Sequence, residues 1–155
     1  MPNLSMSKVA GNIIQILADL PDFLRSQMLQ NRLKEFYGMN DEDKHKTISM
    51  VLATMHTISP NKLSVLFGTW LEVLSQFDSE MRMEMFQIYC RQIFANPRLI
   101  LSLDFKLLTD TFMLLDQKKR ERLADSLHEV LLGLPNRNEI LKIIPDYSLK
   151  AIGIK

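Results

Sequence analysis

One short phrase recurs at a fixed spacing, and it constrains the fold more than any other feature of the chain. Phe77-Asp78-Ser79-Glu80-Met81-Arg82 is matched 38 residues later by Leu115-Asp116-Gln117-Lys118-Lys119-Arg120 and 38 residues earlier by Met39-Asn40-Asp41-Glu42-Asp43-Lys44. Each copy has an apolar residue, then Asp or Asn, three variable residues and a base. A fixed period of this size is what stacked repeats produce.

The rest of the unit follows the same spacing. Leu29, Phe67 and Phe105 form one column, and Ile48, Phe86 and Ala124 another. Prolines mark the joints at Pro21, Pro60, Pro97 and Pro135, each just ahead of an apolar run where a helix tolerates it. Within each unit the apolar residues fall at i, i+3, i+4 and i+7, which predicts helix rather than strand. Every unit therefore reads as helix A, a short turn and helix B. Asn40, Asp78 and Asp116 stand where a side-chain oxygen can cap helix B.

This pattern resembles the HEAT repeats, a family of helix pairs that stack into curved α-solenoids. Asp78-Ser79-Glu80-Met81-Arg82 is similar to that family's Asp-x-x-Val-Arg turn into helix B. Where the family carries Arg, the first copy has Lys44; where it carries Val, the first and third have Asp43 and Lys119. The resemblance implies an all-α fold, a short solenoid of about seven stacked antiparallel helices. A closed helical bundle is the alternative.

The expected domain is single. A capping helix covers residues 3–18, repeats cover 22–57, 61–95 and 98–132, and a partial repeat and tail cover 136–155. Helices are expected at 22–37, 41–57, 61–76, 79–95, 98–115 and 117–132. Ile140, Leu141, Ile143 and Ile144 read as the start of a fourth helix A, ended by Pro145. The last ten residues have no clear period and could fold over the end of the stack or stay loose.

Composition narrows the function classes. A hydrophobic content of 46% with 24% charged residues suits a globular chain. The formal net charge of +1 gives no general attraction to nucleic acid or anionic membranes. Cys90 is the one cysteine, so no internal disulfide forms, and a cytoplasmic setting is expected. Lys8, Gly11 and Asn12 interrupt the first apolar run, which argues against a signal peptide, and no stretch has the length of a membrane span.

No glycine-rich phosphate loop, metal-ligand spacing or nucleophile elbow occurs in the sequence, so neither a cofactor nor a metal is expected. Cys90 and His128 share a column in adjacent units, but no third orienting group accompanies them, and a core thiol with a half-exposed imidazole is the simpler reading. The column Lys44, Arg82 and Arg120 has two readings. It is either an internal ladder, each base tied to Asn40, Asp78 or Asp116 and the neighbouring turn, or a row of cations that binds anions.

The expected function is a non-enzymatic protein-binding module or assembly scaffold. On a helical wheel Ile88 falls roughly 200° from Phe86, and Met81 roughly 220°. Met50 and Ser126 share the column of Ile88. By resemblance the B helices line the concave surface, so Met50, Met81 and Ile88 are the candidate partner-binding residues. Central helices wrapped on all sides are the competing reading. The alternatives are a nucleic-acid-binding HEAT-like protein of the DNA-repair kind, and a subunit that self-associates through its apolar C-terminal end. Trp70 and most of the Phe residues sit in core columns, which disfavours the nucleic-acid reading.

Overall fold

The computed structural model describes residues 12–96, 98 and 103–155. Helix α1 is described over 12–19. It is followed by α2 (Asp22–Tyr37), α3 (Asp41–Thr54), a 3-10 turn (Met55–Thr57), α4 (Pro60–Gln76), α5 (Ser79–Ala95), α6 (Phe105–Met113), α7 (Gln117–Gly133), α8 (Arg137–Ile143) and α9 (Asp146–Ala151). The fold is all-α, and the described residues hold more and shorter helices than the seven expected.

Capping explains where the B helices begin. Asn40 Oδ1 accepts from Asp43 N at 2.8 Å, Asp78 Oδ1 from Met81 N at 2.9 Å and Asp116 Oδ1 from Lys119 N at 2.9 Å. Each satisfies a first-turn donor that the helix itself cannot. Pro60 opens α4 at a position where a missing N–H costs nothing.

Two boundaries differ from the sequence reading by three residues or more. The first B helix ends at Thr54 rather than residue 57, where Thr54 Oγ1 turns back onto the carbonyls of Met50 and Val51 and the chain tightens into the 3-10 turn. The third A helix is described from Phe105, because Asp104 Oδ1 accepts from Leu107 N at 3.1 Å and makes the cap there. Residues 99–102 of the expected 98–115 helix, and residues 3–11 of the expected first helix, lie outside the described residues.

The closest backbone approaches run along two rows. One row is α2, α4, α6 and α9, and the other is α3, α5 and α7. The helices of one pair stand further apart, and large side chains fill the space between the rows. Trp70 of α4 lies edge-on to Phe86 and Tyr89 of α5, with ring centroids 6.2 and 5.3 Å away. Leu74 and Met85 are fully buried, and Phe36, Leu52, Leu71 and Leu123 are nearly so. Among these elements α4 also packs on α7, tied by Lys119 Nζ to Glu72 at 2.9 Å.

The C-terminus corrects a further expectation. The helix containing Ile140 packs on α7, and α9 instead takes the next place in the first row, against α6. Thr109 and Ser148 hydroxyls meet there at 2.7 Å. Residues 146–155 fold back, with Ile154 N donating to Leu149 O at 2.9 Å. Gly153 makes that turn at φ 82°, a backbone conformation that favours glycine, with the His128 ring 3.7 Å from where a Cβ would sit.

Candidate functional site

The repeated base does not bond to the Asp or Asn that caps its helix. Arg82 Nη1 instead donates to Phe77 O, the carbonyl just before the cap, while its Nε donates to Ser126 Oγ of α7 at 3.0 Å. Arg120 Nη1 donates to Leu115 O at 2.8 Å and Met113 O at 3.0 Å, both in its own turn. Lys44 Nζ reaches neither turn carbonyl and pairs with Glu84 of α5. The cap's oxygen is already engaged by backbone N–H, and the carbonyl before the cap needs a donor, so the guanidinium goes there. Lys44 and Arg82 therefore tie neighbouring helices, and Arg120 ties its own turn. Asp116 has Lys119 beside it at 3.6 Å, not Arg120, and the Lys119 backbone N–H together with that ammonium holds its carboxyl below the usual range.

A fourth base belongs with these. Arg25 of α2 donates from Nη1 to Leu20 O and from Nε to Thr69 Oγ1 of α4 at 2.9 Å, and it pairs with Asp22. It reaches back five residues and forward 44, the same two spans that Arg82 covers to Phe77 and Ser126. Arg25 is only 3% exposed. The signal was present in the sequence. Arg25 precedes Arg82 by 57 residues, one and a half repeats, so it plays the same part in the other row. Pro21 in the cap position hides the match.

The candidate partner-binding stripe is not an outward surface. Ile88 is 5% exposed, and Ser126 of the same column is 3% exposed. Met50 and Met81 are half-buried. The wheel was referenced to the side of α5 that faces the other row, but a helix inside a row also has neighbours along it. Ile88 points along the row, and Ser126 receives Arg82 there. The Met81 carbonyl is itself covered, accepting from Tyr37 Oη at 2.5 Å.

The exposed apolar surface lies elsewhere. On α2, Phe23 is 72% exposed, and Leu24 and Met28 are each 37% exposed. With Gln27 and Asn31 they occupy an arc of about 140°. Arg25 is the only ionisable side chain from Phe23 to Asn31, and it is buried, so this stretch of the arc carries no charge, with Lys34 and Glu35 following on the same face one turn later.

Between the rows lies a cavity of about 450 Å³ whose wall is almost wholly aliphatic and aromatic. Cys90 and Tyr89 line it. Burial pushes the Cys90 thiol up to about 11 and the Tyr89 phenol above its ordinary value, so the thiol is protonated at neutral pH and a poor nucleophile. His128 is turned to the C-terminal segment, with Nε2 2.5 Å from Ile152 O. Cys90 and His128 thus face different surroundings. The described residues contain no group of three or more His, Cys, Asp or Glu placed to hold a metal, and no helix among them is long and apolar enough to cross a membrane.

Searches of protein-family models, curated proteins and solved structures return no match to this chain.

Proposed function

We propose that this chain is a short HEAT-like stack acting as a non-enzymatic, cytoplasmic protein-binding module, with the outward arc of α2 as its principal docking surface. The observation that carries this reading is the uncharged arc of Phe23, Leu24 and Met28. Exposed aromatic and Met side chains without charge are the composition of an interface centre. The inward engagement of Arg25, Arg82 and Arg120 supports a protein partner over nucleic acid, since a phosphate-binding face needs its cations outward.

The test is site-specific photo-crosslinking in the native host. A benzoylphenylalanine at position 23 should give a discrete adduct, and the same group at the exposed Lys46 of α3 should not. Phe23→Asp should abolish the adduct formed from position 28 while moving stability by no more than about 0.5 kcal/mol. Equal crosslinking from positions 23 and 46 would remove α2 as the docking surface.

A second reading has its own support. Leu132 is 64% exposed, Tyr147 49% and Ile143 40%, all toward the C-terminal end, which favours self-association there. Solution mass that doubles with concentration, and returns to monomer in Leu132→Glu, is the expected outcome of that reading.

A further inference from the structure

The cavity between the rows is too large for a packing defect. Protein interiors leave few voids bigger than a water molecule, and dry apolar cavities of about 150 Å³ already take up benzene. This one, at about 450 Å³, falls within the roughly 300–1,000 Å³ of ordinary ligand sites.

Its shape selects the ligand. Leu17 and Leu33 line one end, Met85 the middle, and Leu108 and Leu127 the other end, so the cavity crosses all three helix pairs. Neighbouring packed helices stand about 8–10 Å apart, which makes it roughly 20 Å long. Its volume spread over that length leaves a narrow bore that admits an extended hydrocarbon chain. A partner helix, about 10–12 Å across with its side chains, does not fit.

Among the described residues, the charged ones lining the cavity are Arg32 and Glu35, both exposed and 3.2 Å apart, and they mark its mouth beside Met39. An exposed pair of this kind contributes little, and the guanidinium keeps donors for a second carboxylate. We propose that the cavity binds one long-chain fatty acid, its unbranched tail between the two helix rows and its carboxylate at Arg32. The mouth at Arg32 lies one turn beyond Met28 on α2, beside the docking arc, while Phe23 stands on the opposite side of the helix from Arg32 and more than two turns away.

Fluorescence of cis-parinaric acid with the purified full chain tests it. Expected are a saturable rise at one probe per chain, displacement by palmitate, and slower maleimide labelling of Cys90 when palmitate is bound. Arg32→Gln should weaken palmitate binding by about tenfold and leave hexadecanol unchanged. Cys90→Phe, which fills the bore, should abolish binding of both, with Val51→Phe replacing it if the first variant does not fold. Phe23→Asp should bind palmitate as the wild type does, so failure of the docking surface and failure of the lipid site are told apart. No saturable rise in the wild type, or binding that survives the filled bore, overturns the proposal. Equal loss of palmitate and hexadecanol in Arg32→Gln, or no loss of either, overturns the placement of the carboxylate.

Discussion

The second and third turns share one grammar but do different work. At Phe77–Arg82 the arginine ties its own turn and crosses to Ser126 on the next helix of the row. At Leu115–Arg120 the arginine spends its recorded bonds on Leu115 and Met113, within its own turn. The apolar residue exposed beside it, Leu114, is 84% open to solvent. The difference separates two functions of one residue type. Holding the carbonyl ahead of the cap is a local task set by the phrase itself, whereas joining neighbours requires a hydroxyl at the right place on another helix.

If that separation holds, mutational cost should rank by bridging. Arg25→Ala is expected to cost most, about 3 kcal/mol, because it removes charge-assisted bonds and a buried stem and leaves the Leu20 carbonyl without its donor. Arg82→Ala should follow at about 2 kcal/mol, since its side chain is half-buried. Arg120→Ala should cost about 1 kcal/mol. Denaturant midpoints at constant slope give all three values, and an Arg120 variant as damaging as the Arg82 variant would break the comparison.

A smaller effect sharpens it. Ser126→Ala should cost about 0.5–1 kcal/mol in the wild type and almost nothing once Arg82 is Ala, a coupling of a few tenths to 1 kcal/mol in a double-mutant cycle. Strictly additive costs would mean that the bridge contributes nothing.

The smallest effect concerns the third turn's cap. The folded Asp116 carboxyl titrates below its unfolded value, chiefly through the Lys119 backbone N–H. Its contribution is therefore complete above the usual carboxylate value of about 4 and is lost as pH falls through the lower folded value. Asp116→Asn keeps a capping oxygen, as Asn40 does in the first turn, but carries no charge. Wild type and variant should differ in thermal midpoint at neutral pH and converge in acid. A difference that persists in acid would show that the charge is not the cause.

Local features of this fold were legible in the sequence, and relations between helices were not. Asn40, Asp78 and Asp116 could be named as caps because capping needs only the next three residues. Helix α5 was bounded correctly for the same reason, and α2 because Pro21 stands just ahead of it. Asp104 was missed because the column spacing put the third A helix earlier, and a repeat argument overrides local signals only where the copies agree. Helix α9 was missed because six residues are too few to show a period. Ile88 was misplaced because a wheel ranks directions around one helix without saying how many of them have neighbours. The exposed arc at Phe23 was invisible for the mirror reason, since apolar residues on a helix do not say whether a neighbour covers them. The cavity could not be read at all, because it arises from the distance between rows and not from any residue in them.

The arginine bridges also set how the stack yields to force. The first and second pairs are pinned by Arg25 to Thr69 in the α2–α4 row, and by Lys44 to Glu84 and Gln92 to His45 in the α3–α5 row. The second and third pairs are pinned by Arg82 to Ser126 in the α5–α7 row, with a lone hydroxyl contact between Ser64 and Thr111 opposite. The first joint is therefore fastened along both edges, whereas the second is held by Arg82 on one edge and by Lys119 to Glu72 across the diagonal. Under load the second joint is expected to open first, from its α4–α6 edge. A stack fastened in this manner bends at one joint and toward one side, rather than evenly along its length.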